Sequence, residues 1–233
     1  MALKSIFKRK AVQGERQLIA QTAPKSPVTE QYRNIRTNIQ FAAVGASLRS
    51  VVVTSANPAE GKTTTTANLA VVFAQQGQRV LLVDADLRKP ALHTVLKEKN
   101  LQGLTSVLAG QKTLQACIRK TAADNLSFLP SGPVPPNPAE MLGSPKMKDI
   151  LQELQEKFDL IIFDTPPALA VTDAQVLANI CDGSILVVRS GQTDRESAQK
   201  ATALLQSTSA RLLGGILNDQ EQKGQDYYYY YGK

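Results

Sequence analysis

At 233 residues, with 42% of them hydrophobic, the chain has the size of one large α/β domain and enough apolar side chains to build a core unaided. No apolar run approaches the ~20 residues of a membrane span, and the first ten residues, MALKSIFKRK, lack the long apolar core of a signal peptide, so a soluble cytoplasmic protein is expected. The net charge of +7 is partly local, with Lys4, Lys8, Arg9 and Lys10 crowding one end, but no aromatic-basic interleaving marks a nucleic-acid surface. Cys117 and Cys181 have no metal or CxxC spacing and read as small buried hydrophobes in a reduced compartment.

Residues 1–24 read as a basic segment and a polar, aperiodic linker; the basic start is either a solvated terminus or a weak attraction to an anionic membrane or acidic partner. A domain is expected over 25–218, followed by a tail over 219–233. Ser26-Pro27 opens a helix, with serine as cap and proline in the first turn. Along it Tyr32, Ile35, Ile39 and Ala42 recur at helical spacing and should face the core, whereas Glu30, Arg33 and Arg36 step by three along a separate stripe. That stripe is either an ordinary solvated face or a subunit contact made by carboxylate and guanidinium pairs.

The stretch SVVVTSANPAEGKTTTT, residues 50–66, organises the remainder. Val51 to Val53 read as a buried strand, and the loop Ala56-x-x-x-x-Gly61-Lys62-Thr63 leads into a helix from Lys62 to about Gln76. This is a phosphate-binding P-loop: the backbone N–H groups of Ala59, Glu60, Gly61, Lys62, Thr63 and Thr64, with the positive end of the new helix, converge where polyphosphate charge is stabilised. Lys62, expected on an exposed loop, adds a mobile cation for the β- and γ-phosphates, and the Thr63 hydroxyl is placed to ligate Mg²⁺. Ala56 stands where the pattern usually has glycine, so the loop should avoid positive φ there.

Further strands follow. Val80–Val83 ends in Asp84-Ala85-Asp86-Leu87-Arg88, two carboxylates and a guanidinium at the end of a strand where open α/β sheets bind ligands. His93, on a short helix, reads as structural. After short helical pieces and a strand at Leu126–Leu129, the four prolines in 131–138 imply a rigid surface loop, and Ser144-Pro145 caps a helix to about Lys157. Leu160–Asp164 is an apolar strand ending in an acid, the Walker B pattern, with Asp164 set to hold Mg²⁺ through water opposite Thr63. Helix Asp173–Ile180, strand Ser184–Val188, helix Asp194–Gln206 and strand Leu212–Leu217 complete the alternation. Such alternation implies a mostly parallel sheet with helices on both faces. Asn218, at the end of the last strand, is expected to contact adenine. The tail carries Tyr227, Tyr228, Tyr229, Tyr230 and Tyr231, five phenols with too little apolar neighbourhood to fold.

The P-loop ANPAEGKT, the second-strand motif LLVDADLRKP, the Walker B strand LIIFDTPP, the EQYRNIR segment and the terminal tyrosines together resemble the bacterial tyrosine kinases of capsule and exopolysaccharide systems. The resemblance covers the chain from about residue 25. It implies an ATP- and Mg²⁺-dependent enzyme that phosphorylates its own tyrosine tail in trans within a ring, with Glu30, Arg33 and Arg36 at the ring contact. It also implies other protein substrates, a separate membrane activator that recruits the chain peripherally, and a cognate tyrosine phosphatase. In that reading Lys62, Asp84 and Asp86 are catalytic; Thr63, Asp84 and Asp164 serve the metal; and which of Asp84 and Asp86 takes the phenol proton stays open. The glycine-lysine-threonine and Asp-x-Asp motifs are shared with MinD/ParA-like ATPases, so an assembly-switching ATPase is the alternative. Those enzymes carry an extra lysine early in the loop, where this chain has Ser55-Ala56-Asn57.

Overall fold

The computed structural model describes residues 18–45 and 47–220. In chain order these form α1 (Ile19–Thr22), α2 (Pro27–Ala42), β1 (Ser50–Ser55), α3 (Lys62–Ala74), β2 (Val80–Asp84), α4 (Leu92–Val95), α5 (Leu104–Leu108), α6 (Leu114–Cys117) and β3 (Arg119–Lys120). They continue as β4 (Leu126–Leu129), α7 (Pro138–Leu142), α8 (Pro145–Lys157), β5 (Leu160–Asp164), α9 (Asp173–Ala178), β6 (Gly183–Arg189), α10 (Arg195–Gln206) and β7 (Arg211–Asn218). The tyrosine cluster and the basic start lie outside the described residues.

The strands form one sheet in the order β3-β4-β2-β5-β1-β6-β7, parallel throughout except for the short β3–β4 pair. Because strand side chains alternate between faces, each apolar run feeds two cores at once. Val51, Val53, Val80, Leu82 and Ile162 pack on the face covered by α2 and α3, while Val52, Leu81, Val83, Ile161 and Phe163 pack toward α8 and α9. Helix α3 is buried along nearly its whole length, as expected for a helix wedged between sheet and α2. Cys117 and Cys181 are both free and buried, and burial pushes the Cys181 thiol far above its ordinary range.

The cap signals act as their chemistry requires. Ser26 Oγ accepts from the N–H of Thr29 at 3.1 Å, and Ser144 and Asp194 do the same for α8 and α10. Three elements differ from the sequence expectation. The segment read as linker contains α1, whose Ala20 is fully buried and donates its N–H to Asn68 Oδ1 on α3 at 2.9 Å. The last proline of the 131–138 stretch starts α7, because a proline's missing N–H costs nothing at a first helical position. The pair β3, two residues long, is too short for any periodic signal. Among the described residues no helix is long and apolar enough to cross a membrane.

Candidate active site

The order β2-β5-β1 puts three strand ends side by side, and each carries part of the site. Asp84 and Asp164 are register partners across β2 and β5, and Asp164 faces Val53 of β1, the strand that runs into the P-loop. Residues 80 positions apart, such as Asp84 and Asp164, thereby share one end of the sheet, the end where ligands of open α/β folds bind.

The loop's shape follows from its residues. Ala56 is buried and stays out of the positive-φ region, as its Cβ demands; the left-handed positions are instead Ala59 (φ 65°) and Gly61 (φ 86°). A Cβ on Gly61 would lie 2.1 Å from Asn218 Nδ2, so glycine is required both for backbone freedom and for this approach. We expect Gly61→Ala to destabilise the ligand-free protein by about 1–3 kcal/mol and to displace Asn218 from the loop. Thermal unfolding and ATP titration check this; parental values in both would contradict the packing described.

Glu60, expected to serve the nucleotide, has its side chain committed elsewhere. It is 3% exposed; Oε2 accepts from the Asn57 N–H at 3.1 Å and Oε1 from Thr193 Oγ1 at 2.6 Å. Asn218 Nδ2 donates to the Glu60 carbonyl at 3.0 Å, and Arg189 Nη1 donates to the Ala59 carbonyl at 3.2 Å. The other guanidinium nitrogens of Arg189 bind Asp219 Oδ2 at 2.9 and 2.6 Å. The ends of β6 and β7 thus stitch the phosphate loop in place. Sequence reasoning missed Arg189 and Thr193; the available signal was Arg189's position at the end of a strand.

Lys62 is not on an exposed loop surface. Its side chain is 12% exposed and its ammonium lies 3.1 Å from Asp86 Oδ2 and 3.6 Å from Asp164 Oδ1. The expectation failed because two strand ends, distant in sequence, close over the lysine. Burial pulls the ammonium pKa down, but Asp164, Asp86 and Asp84 outweigh it and hold it above its usual value. Asp84 is fully buried: Oδ2 accepts from the N–H groups of Ala91 (3.2 Å) and Leu92 (3.0 Å), while Oδ1 has no partner. Burial, reinforced by Asp164, pushes its carboxyl well above the ordinary range, against the pull of the Leu92 N–H. Asp164 is likewise raised by burial, opposed by Lys62 and by the Thr63 hydroxyl; its Oδ1 accepts from Thr66 Oγ1 at 3.3 Å and its Oδ2 is unpartnered.

Two orphaned carboxylate oxygens beside the Thr63 hydroxyl and the lysine form a donor set of hard oxygens, the chemistry that Mg²⁺ with a polyphosphate satisfies. A cavity of about 500 Å³ adjoins them, lined by P-loop residues from Pro58 to Thr64, by Asp86, Arg88 and Lys89, and by the apolar Pro166, Pro167, Ala170 and Val171. Asp86 is on its wall and Asp84 is not. Its Oδ1 accepts from the Lys89 N–H at 3.0 Å.

The charged stripe of α2 lies on a different surface. Glu30 and Arg33 are ion-paired with each other, and Arg36 Nη1 donates to the Val72 carbonyl of α3 at 2.7 Å. Arg36 is therefore a tie between helices and not only a surface charge.

Comparison with known proteins agrees with this geometry. A family model described as an AAA domain matches residues 49–210. The tyrosine-protein kinase YwqD of Bacillus subtilis is 50% identical over 228 residues, covering 98% of this chain and 96% of the relative. Among solved structures, the chimerical protein CapA2B2 superposes with a TM-score of 0.85 at 40% identity, covering 88% of this chain and 90% of that one. The septum site-determining protein MinD of Pyrococcus horikoshii, complexed with Mg-ADP, superposes with a TM-score of 0.63 at 30% identity, covering 73% and 70%.

Proposed function

Because the chain belongs to the bacterial tyrosine-protein kinases, we propose that it transfers the γ-phosphoryl group of ATP to the tyrosines Tyr227–Tyr231 of a neighbouring copy, and thereby regulates capsule or exopolysaccharide synthesis. The observation that carries the reading is the Lys62–Asp86–Asp164 cluster, of which Lys62 and Asp86 line a cavity with one apolar wall. Thr63, Asp164 and Asp84 would hold Mg²⁺, Asp84 through its water shell, and the backbone from Ala59 to Thr64 would hold the phosphates. ATP with Mg²⁺ supplies the phosphoryl group and neutralises its charge. The apolar wall accepts a phenol ring. Asp86, reached from the cavity, would take or orient the phenol proton as the phenol oxygen bonds to the γ-phosphorus and the bond to departing ADP breaks, and Lys62 would trade its carboxylate partners for phosphate oxygens.

Asn218, placed against the P-loop at the end of β7, is proposed to contact adenine. Asn218→Ala should weaken ATP binding and narrow the ATP-over-GTP preference by about tenfold; unchanged affinities for both nucleotides count against it. The alternative of a surface-switching ATPase is less favoured, since the superposition on MinD is poorer and the loop lacks the additional lysine.

The assembly, activator and phosphatase belong to the same proposal: a homo-oligomeric ring, brought to the membrane by a separate activator and reset by a tyrosine phosphatase. Glu30 and Arg33 form its contact, with Arg36 fixing the helix that bears them. Reversal of Arg33 and Arg36 to Glu should give smaller species and weaker transfer between copies; Arg33→Glu alone isolates the interface, since Arg36 also holds α3. Exposed pairs contribute about 0–1 kcal/mol each, but repetition around a ring multiplies the effect. Identical masses by light scattering for Arg33→Glu and parent would reject a contact there.

The experiment for the transfer itself mixes a Lys62→Met chain bearing intact tyrosines with an active chain whose five tail tyrosines are Phe, then locates labelled phosphate by mass spectrometry. Label on the inactive chain supports transfer between copies; a label-free inactive chain, with full labelling of the parent at high dilution, overturns it.

A further inference from the structure

Asp173 opens α9 and is 0% exposed, yet among the described residues its carboxylate is hydrogen-bonded only by Arg88: Nε to Oδ2 at 2.9 Å and Nη2 to Oδ1 at 3.0 Å. A carboxylate taken fully out of water is tolerated only when paired, and the two-point fork fixes both the position and the plane of its partner. Arg88 itself is 38% exposed and lines the cavity. Its Nη1 makes no hydrogen bond among the described residues. Beside it, also on the cavity wall and exposed, stands Lys89. The fork to Asp173 neutralises Arg88 yet leaves Nη1 open to a second acceptor, and the Lys89 side chain forms no ion pair among the described residues.

The phenol ring already has its apolar wall in Pro166, Pro167, Ala170 and Val171. A clamped guanidinium at the rim therefore addresses what accompanies the ring. In this chain the tyrosine run is preceded directly by Asp226, and after one transfer it carries phosphate. In an extended segment residues two apart share a side about 7 Å from one another, so an anion near the acceptor can reach the rim while the phenol is seated.

We propose that Arg88, held in plane by Asp173, is a specificity residue that reads an anionic side chain flanking the acceptor tyrosine, with Asp173 as its positioning residue. The anion is a carboxylate or the phosphate of an earlier transfer. This rests on the tyrosine-kinase reading above.

The test uses the full chain and single-acceptor peptides copying residues 225–233, with Tyr228, two residues from Asp226, retained and the other four tyrosines replaced by Phe. One peptide keeps Asp226, one carries Asp226→Asn, and one carries Asp226→Asn with phosphotyrosine at 230. For the parent enzyme, KM for one or both anionic peptides should be about fivefold to twentyfold below that of the neutral peptide, with kcat within about twofold. Which of the two shows the effect identifies the source of the anion.

Arg88→Gln alone strands a buried carboxylate, so the double variant Arg88→Gln with Asp173→Asn, which removes both charges together, carries the test. It should bring the KM ratio to about one, and Arg88→Lys, which keeps charge but loses the fork, should retain only part of it. A preserved ratio in a folded double variant, or no preference in the parent, overturns the proposal. Labelling of the neutral peptide by the parent shows independently that the chain phosphorylates tyrosine, so a failed preference is distinguishable from a failed kinase.

Discussion

Lys62→Met is expected to lower phosphoryl transfer by at least about 10³-fold, the scale on which a preorganised cation at a transferring phosphoryl group acts. The same substitution should also lower the stability of the ligand-free protein, and this second effect comes from the structure. Lys62 lies among Asp84, Asp86 and Asp164, and its ammonium compensates charges that are almost entirely out of water. Removing it leaves buried carboxylates without a compensating cation, which costs on the order of 3 kcal/mol and corresponds to roughly 6–12 °C in melting temperature for a chain of this size. Activity should therefore be compared at a temperature where circular dichroism shows both proteins folded. Unchanged transfer would remove the P-loop from the mechanism, and an unchanged melting temperature would contradict the charge cluster.

Asp84→Asn should do the opposite to stability while also abolishing activity. The carboxylate of Asp84 is buried with one oxygen unpartnered and a second acid as its register neighbour, an arrangement suited to a bound cation and costly without one. An amide oxygen can still accept from Ala91 and Leu92, and the charge is gone. We expect a gain of about 1–2 kcal/mol in the ligand-free state, or roughly 2–8 °C, together with loss of the stabilisation that Mg²⁺ and ATP confer on the parent. The pH dependence has a definite sign. A carboxyl whose folded pKa is raised binds its proton more tightly in the native state. Its penalty is absent below the ordinary carboxylate range, near 4, and grows as the pH rises from there toward the raised folded value. Parent and variant should thus converge in stability on acidification and diverge toward neutrality. Urea unfolding across that range measures the difference, and parallel curves would sink the explanation.

These two residues also show what the sequence could and could not convey. The P-loop, the Asp84-x-Asp86 pair and Asp164 were legible because each is a local pattern, an apolar strand run ending in particular residue types, and the strand and helix alternation followed from the same runs. The burial of Lys62 was not, since it depends on β2, β5 and β1 lying side by side, and local periodicity does not give strand order. The same holds for Glu60, whose partner Thr193 is 133 positions away, and for the Arg88–Asp173 fork, which spans 85. Helix α1 escaped because four residues are too few for a period to show, and its one buried alanine is held by a side chain of α3. Arg36 was legible as a charge but not as a tie, because the acceptor is a backbone carbonyl and carries no sequence signal.

Arg189 has one hand on each of two things, the Ala59 carbonyl in the phosphate loop and the Asp219 carboxylate just past β7. Asp219 is the last residue but one that the structure describes before the chain continues toward its tyrosines. A pull on that continuing chain is delivered first to the Asp219–Arg189 pair, and from there to the backbone of the loop that grips phosphate. The base of the tail and the P-loop are in this sense one mechanical joint: load on the continuing chain reaches the loop backbone through two side chains, Arg189 on the Ala59 carbonyl and Asn218 on the Glu60 carbonyl.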